Sequence, residues 1–260
     1  MEKPQPRART VNIAGTEVSQ LVFGTEHINH FLPEFSGRLL CDAATQNNVF
    51  FWDTDNCYGS HPAVAAGLKM IPREKVVITS KTYYDSEQDV IKNVQKTLTD
   101  LDTPYLDFCM LHEVPQGWLN HKMPALKTLK RLKSEGLIRH IGLSTHVPDV
   151  AIEASDVEDI ELIMVTFNKI SSWIEHGDAD AMAKALDYAH NKKGKGTCVI
   201  KVLARGDLAP DVRSALEFVL DYHECIDLYN IGVAGMRELR QNLMIINEYY
   251  DRLEGECANG

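Results

Sequence analysis

VVITSKTYYDSEQDVIKNVQKTLTDLDTPYLDFCML, residues 76–111, holds one complete unit of the fold. Val76 to Ser80 is β-branched and apolar almost throughout, as a parallel strand buried on both faces requires. Lys81 follows at once. Ser86 with Asp89 then reads as a capping box, and Val90, Val94, Leu98 and Leu101 recur at helical spacing. A second apolar run, residues 105–111, completes the unit and hands over to His112. Strand, helix and strand in this order predict a parallel crossover.

The same alternation continues in both directions. Further strand candidates are residues 20–23, 49–52, 140–143, 160–166, 198–202 and 226–231. Between them, Pro124 opens a helix with Leu126, Leu129 and Leu132 on one face, basic residues in its last turn and Gly136 beyond it. Asp178 starts another helix through Met182 and Leu186, and a last one runs from Met236 through Leu239, Leu243 and Ile246. Eight strand–helix units in 260 residues suit a closed (β/α)₈ TIM barrel, which needs about 250. An open doubly wound sheet is the competing α/β architecture. No linker divides the chain, so residues 1–260 read as one domain, with 1–10 as a flexible tail. Val11 to Ile13 and Glu17 to Leu21 flank an Ala14-Gly15-Thr16 turn, which predicts a hairpin over the N-terminal mouth of the barrel.

Composition narrows the function classes. The net charge of −10 argues against a nucleic-acid partner. The six cysteines lack the C-x-x-C spacing of a metal ribbon and read as free thiols in a reducing compartment. The first ten residues carry no leader-like apolar run, and no stretch approaches the ~18 apolar residues of a membrane span. A cytoplasmic protein without a membrane partner is expected, its oligomeric state left open.

In a parallel barrel the chemistry sits at the C-terminal ends of strands. Reading those positions gives Asp53 with Tyr58 after the second strand, Lys81 after the third and His112 after the fourth. Each alone is an ordinary loop residue. Together they converge on one cavity and make sense as acid–base machinery. A phenol with pKa of about 10 is a poor acid at neutral pH; a neighbouring ammonium lowers it, and a carboxylate fixes that ammonium. Tyr58 is therefore expected to be the general acid, Lys81 its tuner, Asp53 the partner of Lys81, and His112 the group that orients and polarises a carbonyl. No H-x-H or H-E-x-x-H spacing points to a metal, and none is expected.

The order Asp53-Thr54, Tyr58-Gly59, Lys81 and His112 resembles the tetrad of the aldo-keto reductase superfamily. Glu135 to Ser144 resembles its EGKIRxIGVSN segment, Leu203-Ala204-Arg205-Gly206 its PLAxG loop, and Ile231-Gly232 with Leu239 and Asn242 its GxxxxxxLxxN helix start. The likeness spans roughly residues 11–245. It implies NADPH or NADH lying across the C-terminal mouth and a small carbonyl or alcohol as substrate. Ser144 and Thr145 would lie at the nicotinamide carboxamide, together with Met164. Lys201, Val202, Leu203 and Gly206 would wrap the pyrophosphate. Gly232, Val233, Glu238, Gln241 and Asn242 would hold the adenosine end, with Gly24, Thr25 and Asp53 beneath.

Four positions depart from the family pattern: Thr145 for asparagine, Met164 for glutamine, Val202 for proline, and Glu238 near an arginine that phosphate-preferring members carry. Asp55 stands where alanine is usual. The chain resembles the short bacterial-type members in having no long C-terminal substrate loop, so an open pocket is expected, with Tyr83, Trp118 and Trp173 beside Tyr58 and His112 as substrate contacts. A non-redox lyase or epimerase using the same residues, or a catalytically idle barrel serving as a binding or regulatory subunit, are the alternatives.

Overall fold

A computed structural model describes residues 5–257. Eight parallel strands close into a barrel, each followed by a helix. The strands are β3 (Leu21–Gly24), β4 (Phe51–Asp53), β5 (Val77–Thr82), β6 (Leu106–Leu111), β7 (Ile138–Thr145), β8 (Leu162–Thr166), β9 (Gly196–Ile200) and β10 (Leu228–Gly232), with β10 pairing back onto β3. The principal helices are α1 (Pro33–Asn47), α2 (His61–Leu68), α3 (Glu87–Leu101), α4 (Met123–Ser134), α5 (Pro148–Ser155), α6 (Ala179–Asp187), α7 (Val212–Leu220) and α8 (Met236–Cys257). The open-sheet alternative is excluded by the β10–β3 closure.

Local chemistry explains several boundaries. The Ser86 hydroxyl accepts from Asp89 N at 3.2 Å and caps α3, while Asp178 caps α6 by accepting from Ala181 N at 2.9 Å. Lys81, read from sequence as following its strand, lies within β5. An ion pair in the barrel satisfies its ammonium, so the strand need not stop before the charge. Strand β9 stops before Lys201, whose φ of +55° breaks the extended run.

Two apolar layers result. Val22, Phe51, Val77, Phe108, Met110, Leu162, Met164, Cys198 and Leu228 fill the barrel interior. A larger layer, including Trp52, Ile78, Leu111, Ile141, Ile163 and Val199, packs the strands against the helices. Burying each such side chain is worth about 1.5–3 kcal/mol.

The hairpin is present, as β1 (Thr10–Ile13) and β2 (Thr16–Ser19), joined through Ala14 and Gly15 at φ of +51° and +89°. Ile13 and Val18 belong to the interior cluster, and Ile13 crowds Gly196 so closely that a Cβ there would lie 2.7 Å from it. Thr16 Oγ1 bonds His140 Nε2 at 2.8 Å. The hairpin thus plugs the N-terminal end. The chain before it is tied down from Pro6 onward rather than forming a loose tail. Pro6 O and Arg7 O accept from Asn47 and Asn247, and Ala8 is buried. Residues 1–4, the rest of that expected tail, lie outside the described residues. Among those described, no helix is long and apolar enough to cross a membrane, and Cys41, Cys57, Cys109, Cys198 and Cys225 are free.

Candidate active site

At the C-terminal mouth, β4 ends in Asp53 and its loop carries Asp55 and Tyr58. Lys81 projects from β5, and His112 follows β6. The Lys81 ammonium donates to Asp53 Oδ1 at 2.6 Å, to Thr54 O at 3.1 Å and to the Tyr58 hydroxyl at 3.1 Å. An ammonium has three N–H donors, and all three are committed. Asn230 of β10 donates to the second Asp53 oxygen at 2.8 Å, so the carboxylate is held from strands on either side of β4. Asp53, Lys81 and His112 are buried and Tyr58 is partly exposed to the cavity, and the Tyr58 and His112 rings meet edge-to-face with centroids 6.4 Å apart.

Electrostatics differ from expectation at Tyr58. Burial raises the phenol above its ordinary value, and Lys81 lowers it only in part because Asp53 and Asp55 push the other way. Lys81 is itself raised, since Asp53, Tyr58 and Asp55 outweigh its burial. Tyr58 is therefore a protonated phenol whose oxygen accepts from Lys81, leaving its own proton for another acceptor.

The cofactor candidates divide. A cavity of about 550 Å³ runs from Asp53 and Tyr58 across the mouth, walled by Gly24, Lys201, Val202, Leu203 and Gly206 and by Gly232, Val233, Glu238, Gln241 and Asn242. Thr25, Ser144, Thr145 and Met164 are not on its wall. The Thr25 hydroxyl serves Asp53 O and Ser60, Ser144 Oγ accepts from Glu113 N, and Thr145 Oγ1 bonds Val114 O and Val147 N. Met164 packs inside the barrel. Their side chains hold neighbouring strand ends together.

The fit to a dinucleotide rests on the wall itself. A Cβ at Gly24 would lie 2.7 Å from Asn230 Oδ1, whose side chain is fixed by its bond to Asp53, and a Cβ at Gly232 would displace the His27 ring. The two glycines thus let the Asn230 and His27 side chains pack against the backbone of that stretch. Lys201 and Arg205 supply positive charge on the facing loop, and α8 begins at the far end, a chemistry suited to anionic phosphates. The loop is strained into shape, with Lys201, Ala204 and Arg205 at φ of +55°, +48° and +57°. Glu26 and Asn230 also wall the cavity and were not singled out from sequence, and His27, expected only at the substrate entrance, joins them. A polar Asn inside the apolar run 226–231 was the available signal.

The substrate candidates also divide. Tyr83 stacks on His112 with centroids 4.1 Å apart and donates to Glu113 Oε2 at 3.2 Å. Trp118 packs on His121, and Trp173 lies beside Arg205 and Lys201, so both large rings are half-exposed on the rim. Behind Tyr83, Glu113 bonds His146 at 3.2 Å and is held down to about 2 chiefly by that bond. Asp55, Cys57 and His112 bring ligand-type atoms within 4.8 Å of one another. The Cys57 thiol is pushed up to about 12 by burial and Asp55, which works against a metal-binding thiolate.

The chain belongs to the Aldo/keto reductase family, whose pattern it matches over residues 20–221. A soybean (Glycine max) protein named "Probable aldo-keto reductase 1" is 28% identical over 189 residues, 65% of this chain and 53% of that protein. The chain thus spans about half the length of that relative. Among solved structures, a Pseudomonas aeruginosa protein assigned to the aldo-keto reductases superposes with a TM-score of 0.78 at 22% identity, covering 93% of this chain and 95% of the other. A Bombyx mori aldo-keto reductase in complex with NADP gives 0.70 at 14% identity, covering 94% and 92%.

Proposed function

We propose that this protein is a nicotinamide-dependent oxidoreductase interconverting a small carbonyl compound and its alcohol. The observation that carries the reading is the saturated Lys81 ammonium. With its three donors spent on Asp53, Thr54 and Tyr58, the free proton of the cluster is the phenolic one, at the edge of the long cavity. NADPH or NADH would lie along the wall from Gly24 through Lys201–Gly206 to Gln241 and Asn242, and would supply or accept the hydride. The NADP of the silkworm enzyme supports this assignment.

Tyr58 then gives its proton to the carbonyl oxygen as hydride reaches the carbon, and takes it back in oxidation. Lys81 is the immediate partner of the resulting phenolate, so the charge that forms in the transition state is met by a cation already in place. His112 orients that oxygen, as a donor to the carbonyl when its ring is charged or as an acceptor from the alcohol hydroxyl when it is neutral. Tyr83 and the rim tryptophans Trp118 and Trp173 wall an open substrate entrance.

Titration of the protein with NADH and NADPH, followed by quenching of tryptophan fluorescence, tests the cofactor half. A panel of simple aldehydes and ketones tests the chemistry. Saturable binding with carbonyl-dependent oxidation, lost by about 10²–10⁴-fold in Tyr58→Phe while binding persists, is expected. Failure to bind either dinucleotide at millimolar concentration would sink the reading.

A further inference from the structure

The two nitrogens of His112 meet different fields. Nδ1 lies 2.9 Å from Asp55 Oδ2, and Nε2 lies 4.0 Å from Glu113 Oε1. Asp55 and His112 are 1% and 4% exposed, so the nearer contact is almost shut off from water. The oxygen sits off the line of the ring N–H, and neither Asp55 Oδ2 nor His112 Nδ1 has any hydrogen-bond partner in the described structure. A small ring rotation gives each buried atom the other.

We propose that Asp55 is a positioning residue: it holds neutral His112 as the Nδ1–H tautomer, so that Nε2 faces the substrate as a lone pair. The competing groups point the same way. Coulomb attraction favours the carboxylate at 2.9 Å over that at 4.0 Å, and the Glu113 charge is already shared with His146, Lys201 and the Tyr83 hydroxyl. Lys81 repels a proton anywhere on the ring, while Cys57 and the Tyr58 and Tyr83 phenols face it as neutral groups. Burial holds His112 below its ordinary value against the pull of Asp55. Neutral ring is then the resting form at neutral pH.

The consequence, which rests on the oxidoreductase reading, is a direction-dependent hydrogen bond. A carbonyl oxygen offers only lone pairs and gains a bond from Nε2 only when the ring is imidazolium. An alcohol hydroxyl can donate to the neutral ring. His112 therefore assists reduction when protonated and oxidation when neutral. No proton leaves it in either case; the transferred proton remains the one on Tyr58.

Asp55→Asn separates this role from a structural one. The Asp55 Oδ1 bond from Cys57 N, at 2.8 Å, closes the local turn and can survive in asparagine. The new amide group would donate to Nδ1 and force the Nε2–H tautomer. Long-range proton–nitrogen NMR of histidine-labelled protein, with His112 assigned by loss of its signals in His112→Gln, reads the tautomer without any turnover. A protonated Nδ1 in the wild type and a protonated Nε2 in Asp55→Asn are expected. A protonated Nε2 in the wild type overturns the proposal, as does an unchanged tautomer in a folded Asp55→Asn.

The second readout is the pH dependence of kcat/KM for aldehyde reduction. The wild type is expected to fall by at least about tenfold as pH rises through the His112 titration, and Asp55→Asn to lose that fall. Identical profiles overturn the catalytic consequence. A protein with the expected tautomers and no turnover on any carbonyl would instead refute the oxidoreductase reading.

Discussion

The carboxylate of Asp53 is gripped at both oxygens, by Lys81 Nζ at 2.6 Å and by Asn230 Nδ2 at 2.8 Å, so two strands on opposite sides of Asp53 fix the one anion that fixes the ammonium. Removing Asn230 is expected to act through that geometry. Asn230→Leu should lower kcat by about tenfold or more, since a misplacement of the reacting groups on the order of 1 Å can cost 10²-fold. Steady-state kinetics check it, and a kcat equal to wild type would show that Lys81 alone positions Asp53.

Lys81→Met removes the cation while leaving Asp53 buried. Breaking a buried pair in this way costs about 3–5 kcal/mol, so denaturant midpoints should drop sharply and activity should fall with Tyr58→Phe. Lys81→Arg is not expected to restore it, because a planar fork cannot reproduce three donors aimed at Asp53, Thr54 and Tyr58.

Much of this arrangement was legible in the sequence. Strand candidates fell within a few residues of all eight barrel strands because buried parallel strands are continuously apolar, and the tetrad lay at strand ends. What escaped were effects of closure. Asn230 reads, with Asp227, as a polar interruption of a mostly apolar run until β10 pairs with β3 and brings it to Asp53. Ser144 and Thr145 look available as ligands, yet the Ser144 hydroxyl already accepts from Glu113 N and the Thr145 hydroxyl donates to Val114 O. The Tyr58 shift could not be read either, since its sign depends on burial and on two carboxylates summed against one ammonium.

The cofactor form is expected to follow Glu238. Its side chain lines the long cavity and accepts from Ala234 N at 2.8 Å, whereas Arg237 and Arg240 line a neighbouring groove with Arg213. A carboxylate at the adenosine end repels a 2′-phosphate and can accept from a ribose hydroxyl. NADH should bind more tightly than NADPH, and Glu238→Gln should narrow the gap by about tenfold, which is about 1.4 kcal/mol. Fluorescence titration of both cofactors measures it, and an NADPH preference in the wild type would refute it.

Sensitivity to acid has a separate source at the other end of the barrel. Glu161 meets His140 at 3.0 Å, Lys133 at 2.6 Å and Ile141 N at 3.0 Å. Burial opposes its ionisation, but these partners prevail and hold it at about 2, against an ordinary 4.5. Because the folded carboxyl titrates below the unfolded one, its contribution is full above about pH 4.5 and is lost as pH falls toward 2. It amounts to at most about 3 kcal/mol. Glu161→Gln should lower stability at pH 7 and flatten its decline below pH 4.5, as urea midpoints across that range would show.

A second anchor at the same end tests whether the scaffold and the site are energetically separate. Asp107 is 1% exposed and binds Arg73 at 2.7 Å, Arg139 at 3.0 Å and Ile78 N at 2.9 Å. The two guanidiniums sandwich the Tyr105 ring at 4.0 and 3.9 Å. Asp107→Asn keeps the volume but leaves two cations without their shared anion, so a loss of about 3 kcal/mol or more is expected. Its contacts lie at the start of β5, β6 and β7, whereas Lys81 sits near the far end of β5 and His112 just past β6. Since distant sites that share no partners behave additively, kcat measured well below the variant's lowered Tm should match wild type. A reduced kcat under those conditions would mean that the register of β5 transmits the defect to Lys81.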